Sequence, residues 1–277
     1  MKIKRGLSIA FRHVILMGGA LAILTPFIWM LLTSFKPPEE IFTTDLRLFP
    51  KKFYGIENYR DAFQQAPLLR YMLNGLIVTV SIYICQVIVA APCAYALAKL
   101  NFPGKKLLFS IVLFGLLIPV QAVSIPVFLL LWKLGLLNTY GSLVLPWSIS
   151  VFGIFLMRQF FMTIPNDLVL AARVDGMNEF EILLQVVVPA SIPAFTTFAI
   201  FSVIAHWNNY FWPLIVLQDT NMYTPPMGIA YFRNEESGTN YGGLMAAATV
   251  VIAPLIIAFL PAQKKFIEGI GMQAGLK

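Results

Sequence analysis

Six long apolar stretches, near residues 13–35, 71–98, 107–131, 140–160, 191–217 and 243–262, run through this 277-residue chain from one end to the other. A helix needs about 20 residues to cross the roughly 30 Å hydrocarbon layer of a bilayer, and each stretch reaches that length. With 58% hydrophobic and 12% charged residues, the chain carries more apolar surface than a water-soluble domain of this size buries. Lipid is the expected solvent. Backbone polar groups must then be satisfied within each segment, so the expected fold class is an all-α integral membrane protein with six transmembrane helices forming a single domain over 1–277. The third and fourth stretches are the least regular, because Pro119, Pro126 and Pro146 remove helical hydrogen bonds.

The 20 Lys and Arg against 13 Asp and Glu give a net charge of +7, which in a soluble protein would raise nucleic-acid binding. Here the basic residues flank apolar runs without a basic, aromatic-interleaved stripe, so they read as topology signals. Lys2, Lys4, Arg5 and Arg12, then Lys99, Lys105 and Lys106, then Lys264, Lys265 and Lys277 mark cytoplasmic segments. Segment 36–70 mixes its cations with Glu39, Glu40, Asp45, Glu57 and Asp61 at lower basic density. Both termini are therefore expected in the cytoplasm, with 36–70, 132–139 and 218–242 outside and 36–70 folded partly as short surface helices. The start Met1-Lys2-Ile3-Lys4-Arg5 has the charge of a signal-peptide n-region, but the apolar run after His13 is too long and lacks a cleavage site, so it reads as a retained first span. Cys85 and Cys93, eight apart in one helical run, would lie roughly 12 Å apart and read as unbridged fillers.

No Asp, Glu, Lys or Arg falls in the core of any span, and His206 is the one titratable candidate there. Proton-driven carriers place ionisable groups in their spans to bind and release the coupling ion, and this chain shows no such relay. A phosphate-binding loop is missing too, since Gly104-Lys105-Lys106 lacks the upstream glycine and the following hydroxyl. A partner must then hydrolyse nucleotide. The alternative is an ATP-independent secondary carrier or channel for a small polar solute.

The cytoplasmic link between the fourth and fifth spans, 163–189, is where a partner could push. Thr163 suits a helix cap, Pro165 the first turn, and Gly176 a left-handed end. Asn178 and Glu181 have the spacing of a capping box, and Met177 with Ile182 that of a hydrophobic staple, so a second helix runs from there to Pro189. Caps specify helices and not partners, and an ordinary amphipathic pair at the membrane surface satisfies the same pattern.

This link resembles the cytoplasmic signature loop of ABC importer permeases, E-A-A-x-x-x-G followed by I-x-L-P. Ala171, Ala172 and Gly176 match, Asp175 precedes the glycine as in the carbohydrate branch, and Val187-Val188-Pro189 stands for the close; Leu170 occupies the glutamate position. Patches along nearly the whole chain are similar to that branch, including Ser34-Phe35-Lys36-Pro37, Glu57-Asn58-Tyr59, Ala94-Tyr95-Ala96-Leu97-Ala98, Gly135-Leu136-Leu137-Asn138-Thr139, and the tail Phe266-Ile267-Glu268-Gly269 with Gly275-Leu276-Lys277. The resemblance implies a translocation subunit of the bacterial inner membrane for a sugar or sugar derivative, without an ATPase site or cofactor of its own. It implies a coupling-helix pair in the link, with Asp167, Leu170, Ala171, Ala172, Asp175 and Gly176 at the contact. Partners would be a second similar permease, two cytoplasmic ATPase subunits binding ATP and Mg, and an extracytoplasmic solute-binding protein.

In the fifth span, His206, Trp207, Asn208, Asn209 and Tyr210 set amides and rings together at membrane depth, the one polar cluster expected there. Rings stack on a sugar's apolar face while carboxamides meet its hydroxyls, which makes this the candidate solute path. The competing interpretation is an interfacial aromatic belt, with Asn bonding a neighbouring helix.

Overall fold

The computed structural model describes residues 2–43, 47–230, 232 and 240–273, and every regular element among them is helical. Gly275-Leu276-Lys277 and most of 231–239 lie outside the described residues. Among the described residues, three helices are long and apolar enough to cross a bilayer alone, Phe11–Thr33, Leu68–Lys99 and Tyr241–Gln263; three bent pairs raise the number to as many as six if each pair is one span.

Contacts divide the chain into two compact units, 1–69 with 228–253 and 70–227 with 254–277. In the first, α1 (Lys2–Thr33) leads through a 3-10 turn at Pro38–Glu40 to α2 (Gly55–Gln65). The expected short helices of 36–70 are thus present. Two sequence patches prove to be partners: the buried Asn58 carboxamide donates to the carbonyls of Ser34 and Lys36, each at 2.9 Å, and the Phe35 ring stacks on Phe53 and Tyr59. Lys36, 2% exposed, donates to the Arg47 carbonyl and lies 4.6 Å from the Trp29 ring centre.

The second unit begins in α3 (Leu68–Lys99) and continues through α4 (Lys105–Gly115), α5 (Val120–Lys133), α6 (Tyr140–Val144), α7 (Val151–Thr163) and α8 (Asn166–Val174). Then follow α9 (Glu179–Ala190), α10 (Ile192–Trp207), α11 (Phe211–Val216) and α12 (Pro225–Ala230), while α13 (Tyr241–Gln273) spans both units. One core packs Ala94, Tyr95, Met157, Phe161, Ile182 and Phe198; a second packs Ile82, Leu131, Leu143, Trp212 and Val216. Gly153 of α7 lies against the Phe198 ring so closely that a Cβ would stand 2.5 Å from it, so α7 and α10 meet there at a separation only glycine permits.

The prolines break more than the sequence reading expected. Instead of one helix at 107–131, α4 and α5 meet at 95°, with Pro119 in extended conformation starting the second half. The fourth stretch bends by 43° at residues 148–150, directly after the Leu145–Trp147 turn that contains Pro146. The stretch 191–217 is also not continuous, since α10 ends at Trp207 and α11 begins at Phe211. Asn209 explains the stop: its Oδ1 accepts the Trp212 N–H at 3.2 Å, offering the backbone an alternative to the helical ladder, and Pro213 has no N–H to continue it.

Candidate functional site

The link following α7 has the helix–turn–helix form its caps specify. At the end of α8 the Gly176 N–H bonds the Arg173 carbonyl at 3.1 Å and the Met177 N–H bonds that of Ala172 at 3.0 Å. This pair of crossed bonds is a Schellman turn, which requires the left-handed φ of +83° seen at Gly176. Asn178 then opens α9 with a complete capping box: its Oδ1 accepts from the Glu181 N–H at 3.0 Å, and Glu181 Oε2 accepts from the Asn178 N–H at 2.8 Å.

Thr163 does not cap α8. It is the last residue of α7, its hydroxyl donates to the Phe160 carbonyl at 2.7 Å, and Pro165 occupies the capping position instead. The extended backbone that Ile164 must adopt before proline separates the two helices.

On α8, Asp167, Leu170, Ala171 and Val174 recur at helical spacing and are exposed, Val174 by 87%, while Val169 and Ala172 turn into the core. Ala172 is only 5% exposed, so it serves the packing of α8 and is not on the outer face with Ala171. Asp175 and Gly176 are exposed. Leu170 and Asp167 share one face a turn apart, so an acid remains beside the position that carries leucine. Phe180, 65% exposed, extends the apolar surface onto α9.

Behind this face the two helices are tied together by one carboxylate. Arg173 Nε donates to Glu179 Oε1 at 2.7 Å and its Nη2 to Oε2 at 3.2 Å, while Tyr95 donates its hydroxyl to Oε2 at 2.5 Å. The Arg173 hydrogen bond first, then that from Tyr95, hold the Glu179 carboxyl below its ordinary range, and the same bond raises the Arg173 guanidinium above its own. Further along, α9 winds in π register over Ile182–Val187, because Pro189 lacks an N–H and its ring crowds the carbonyl one turn back. The chain then bends by 79° at Ser191 into α10.

The fifth-stretch residues do not form one cluster. Trp207 is 4% exposed and belongs to the interior, and the Asn209 side chain is taken up by the Trp212 N–H. Asn208 is exposed, its amide donating to the Ile204 carbonyl within its own helix at 2.9 Å, and Tyr210 is 41% exposed. His206 instead joins a polar cluster that the sequence reading missed. Gln86 of α3, 4% exposed, donates through Nε2 to the Trp147 carbonyl at 2.9 Å and accepts the Ser202 hydroxyl at 2.7 Å. The carbonyl can only accept, so this fixes the amide orientation, and the 3.1 Å contact from Gln86 Nε2 makes His206 Nε2 an acceptor with its proton on Nδ1. A second such knot joins Asn74 to the Asn221 and Tyr223 carbonyls and accepts the Tyr140 hydroxyl. The available signal was the rarity of carboxamides in apolar runs, since one buried there must find partners.

Comparison with known proteins adds a family. Residues 86–267 match the binding-protein-dependent transport system inner membrane component family. The diacetylchitobiose uptake system permease protein NgcG of Streptomyces coelicolor is 32% identical over 259 residues, covering 92% of this chain and 85% of that one. The sn-glycerol-3-phosphate transport system permease protein UgpE of Salmonella typhi is 31% identical over 274 residues, covering 96% and 97%. Among solved structures, a chain of a bacterial ABC transporter involved in the import of the acidic polysaccharide alginate superposes with a TM-score of 0.82 at 26% identity, covering 96% of this chain and 98% of that one.

Proposed function

The chain belongs to the binding-protein-dependent transport system inner membrane component family, and from that premise we propose that it is the permease subunit of an ATP-driven ABC importer for a saccharide or saccharide derivative. The observation that carries the substrate class is similarity over 92% of the chain to the permease of a diacetylchitobiose uptake system. Six spans form one permease domain, each bent pair counting as a single crossing, with both termini in the cytoplasm. A second permease completes the pathway, an extracytoplasmic binding protein delivers solute, and two ATPase subunits bind ATP and Mg.

The ATPase docks on the outer face of the 163–189 link. Asp167, Leu170, Ala171, Val174 and Phe180 supply a compact apolar knob with one acid, and Asp175 and Gly176 shape its tip. Ala172 supports this face from behind. In the solute path, the exposed Asn208 and Tyr210 are the side chains free to meet a saccharide, whereas Trp207 and Asn209 hold the bend and His206 is engaged by Gln86.

The test joins topology and docking. Cysteine at Glu57, an exposed residue of α2, reacts with an impermeant thiol reagent from outside intact cells, and cysteine at Val174 does not; instead it cross-links to the ATPase in membranes. External labelling at position 174 would overturn both the orientation and the docking face.

A further inference from the structure

We infer that Glu179 is the positioning residue that carries movement of the 163–189 link into the second span, an inference that rests on the docking reading above. Its carboxylate ties three helices together: it bonds α8 through Arg173 and α3 through the Tyr95 hydroxyl, and it belongs to the first residue of α9. Three further bonds fasten the same end of α3 to the link and its approach. Lys99 Nζ donates to the Ile164 carbonyl and, at 2.8 Å, to Asn166 Oδ1; Arg158 Nε donates to the Leu97 carbonyl at 3.1 Å. The link therefore grips the last two turns of α3 at its start, through Ile164 and Asn166, and again at the first turn of α9, through Glu179.

The route into α10 has the opposite character. Between link and α10 lie the π turns at Ile182–Val187 and the 79° bend at Ser191, whose buried hydroxyl has no hydrogen-bond partner among the described residues. An interrupted ladder bends where a continuous one transmits. A push on α8 thus reaches α3 through bonded side chains before it reaches α10 through the backbone.

An exposed ion pair alone would carry little of this, and the Arg173 and Glu179 side chains are 36% and 44% exposed. Tyr95 changes the weighing. Its residue is 3% exposed with the ring locked in the core beside α9, so its hydroxyl has a fixed origin and, being buried, needs the acceptor that Glu179 supplies. The charge-assisted bond from a rigid span to the carboxylate is what makes the junction stiff.

The test uses the whole transporter in proteoliposomes, with solute imported per ATP hydrolysed as the readout. Tyr95→Phe deletes the hydroxyl and keeps the ring. It should leave the ATPase bound and hydrolysing while import per ATP falls about tenfold, the factor expected for loss of one hydrogen bond to a charged group. Glu179→Ala should fall at least as far, and Glu179→Gln, which can still accept from Tyr95, less far. An unchanged ratio in both Tyr95→Phe and Glu179→Ala overturns the inference, as does failure of Tyr95→Phe to assemble, which would make the hydroxyl a packing element. Failure of the docking reading is distinct: there, Leu170→Asp would keep the ATPase bound.

Discussion

Replacing Gly176 with valine isolates one backbone angle as the determinant of the turn between α8 and α9. The residue sits at φ +83°, and a Cβ built there would meet nothing within 4 Å, so the substitution adds no clash with neighbours. What remains is the intrinsic penalty for a branched side chain in the left-handed region, about 1–2 kcal/mol. At 1.4 kcal/mol per factor of ten, the native turn loses about 5- to 30-fold against alternatives in which α9 leaves α8 at another angle. The Schellman bonds at Arg173 and Ala172 are lost with it, and so is the register that sets Glu179 beside Arg173. Asparagine tolerates the same region, as Asn138 does in this chain at φ 58°, so Gly176→Asn should retain most function. The assay is solute-stimulated ATP hydrolysis by the reconstituted complex, with membrane insertion checked separately. The expected order is wild type, Asn, Ala, Val, with Val reduced about tenfold. Equal activity of the Asn and Val variants would refute the reasoning, because the turn's φ would then not matter to coupling.

Asn208→Ala should lower solute uptake with assembly intact, since among the described residues its side chain bonds its own helix alone; Asn209→Ala should cost about 1 kcal/mol of stability through loss of the bond to Trp212, read as a lower Tm in detergent. Gln86→Leu leaves the Trp147 carbonyl, the Ser202 hydroxyl and His206 Nε2 without their shared partner, and at about 1–3 kcal/mol for each unsatisfied buried group the Tm should fall markedly; an unchanged Tm would show that the cluster binds nothing together. The Glu179 carboxyl is held below its ordinary range, so its contribution is fully present above the unfolded value near 4.3 and fades only as pH drops through the lower folded value. The difference in import per ATP between wild type and Tyr95→Phe should therefore be constant from about pH 6 to pH 8, and a loss of that difference within this window would contradict the ionised tie.

The link was legible because its signals are local. Gly176, Asn178 and Glu181 each act on backbone groups within three residues, and each does in the structure what its spacing implies. Thr163 misled because a hydroxyl that can cap the next helix can equally bond its own, and Ile164 before Pro165 had already ended α7. The breaks in the third and fifth stretches were under-read for a related reason. Hydropathy measures whether a segment can lie in lipid, and an apolar turn such as Leu116–Pro119 scores as well as a helix does. What the sequence could not show is pairing across distance. Gln86 and Ser202 are 116 residues apart, Tyr95 and Glu179 are 84 apart, and neither pair shares a periodicity. The Asn58 bonds to Ser34 and Lys36 are intermediate: both patches stood out in sequence, but not as each other's partners.

The central claim is that ATP hydrolysis by a bound partner drives a saccharide through this chain. The direct measurement is uptake of a labelled oligosaccharide by proteoliposomes holding this permease, its partner permease, the ATPase and the binding protein. Uptake that requires ATP inside the compartment facing the 163–189 link, requires the binding protein on the other side, and proceeds without any ion gradient is the predicted result. Uptake by the chain without the ATPase, driven by a proton or sodium gradient, would contradict the account and make the protein a secondary carrier.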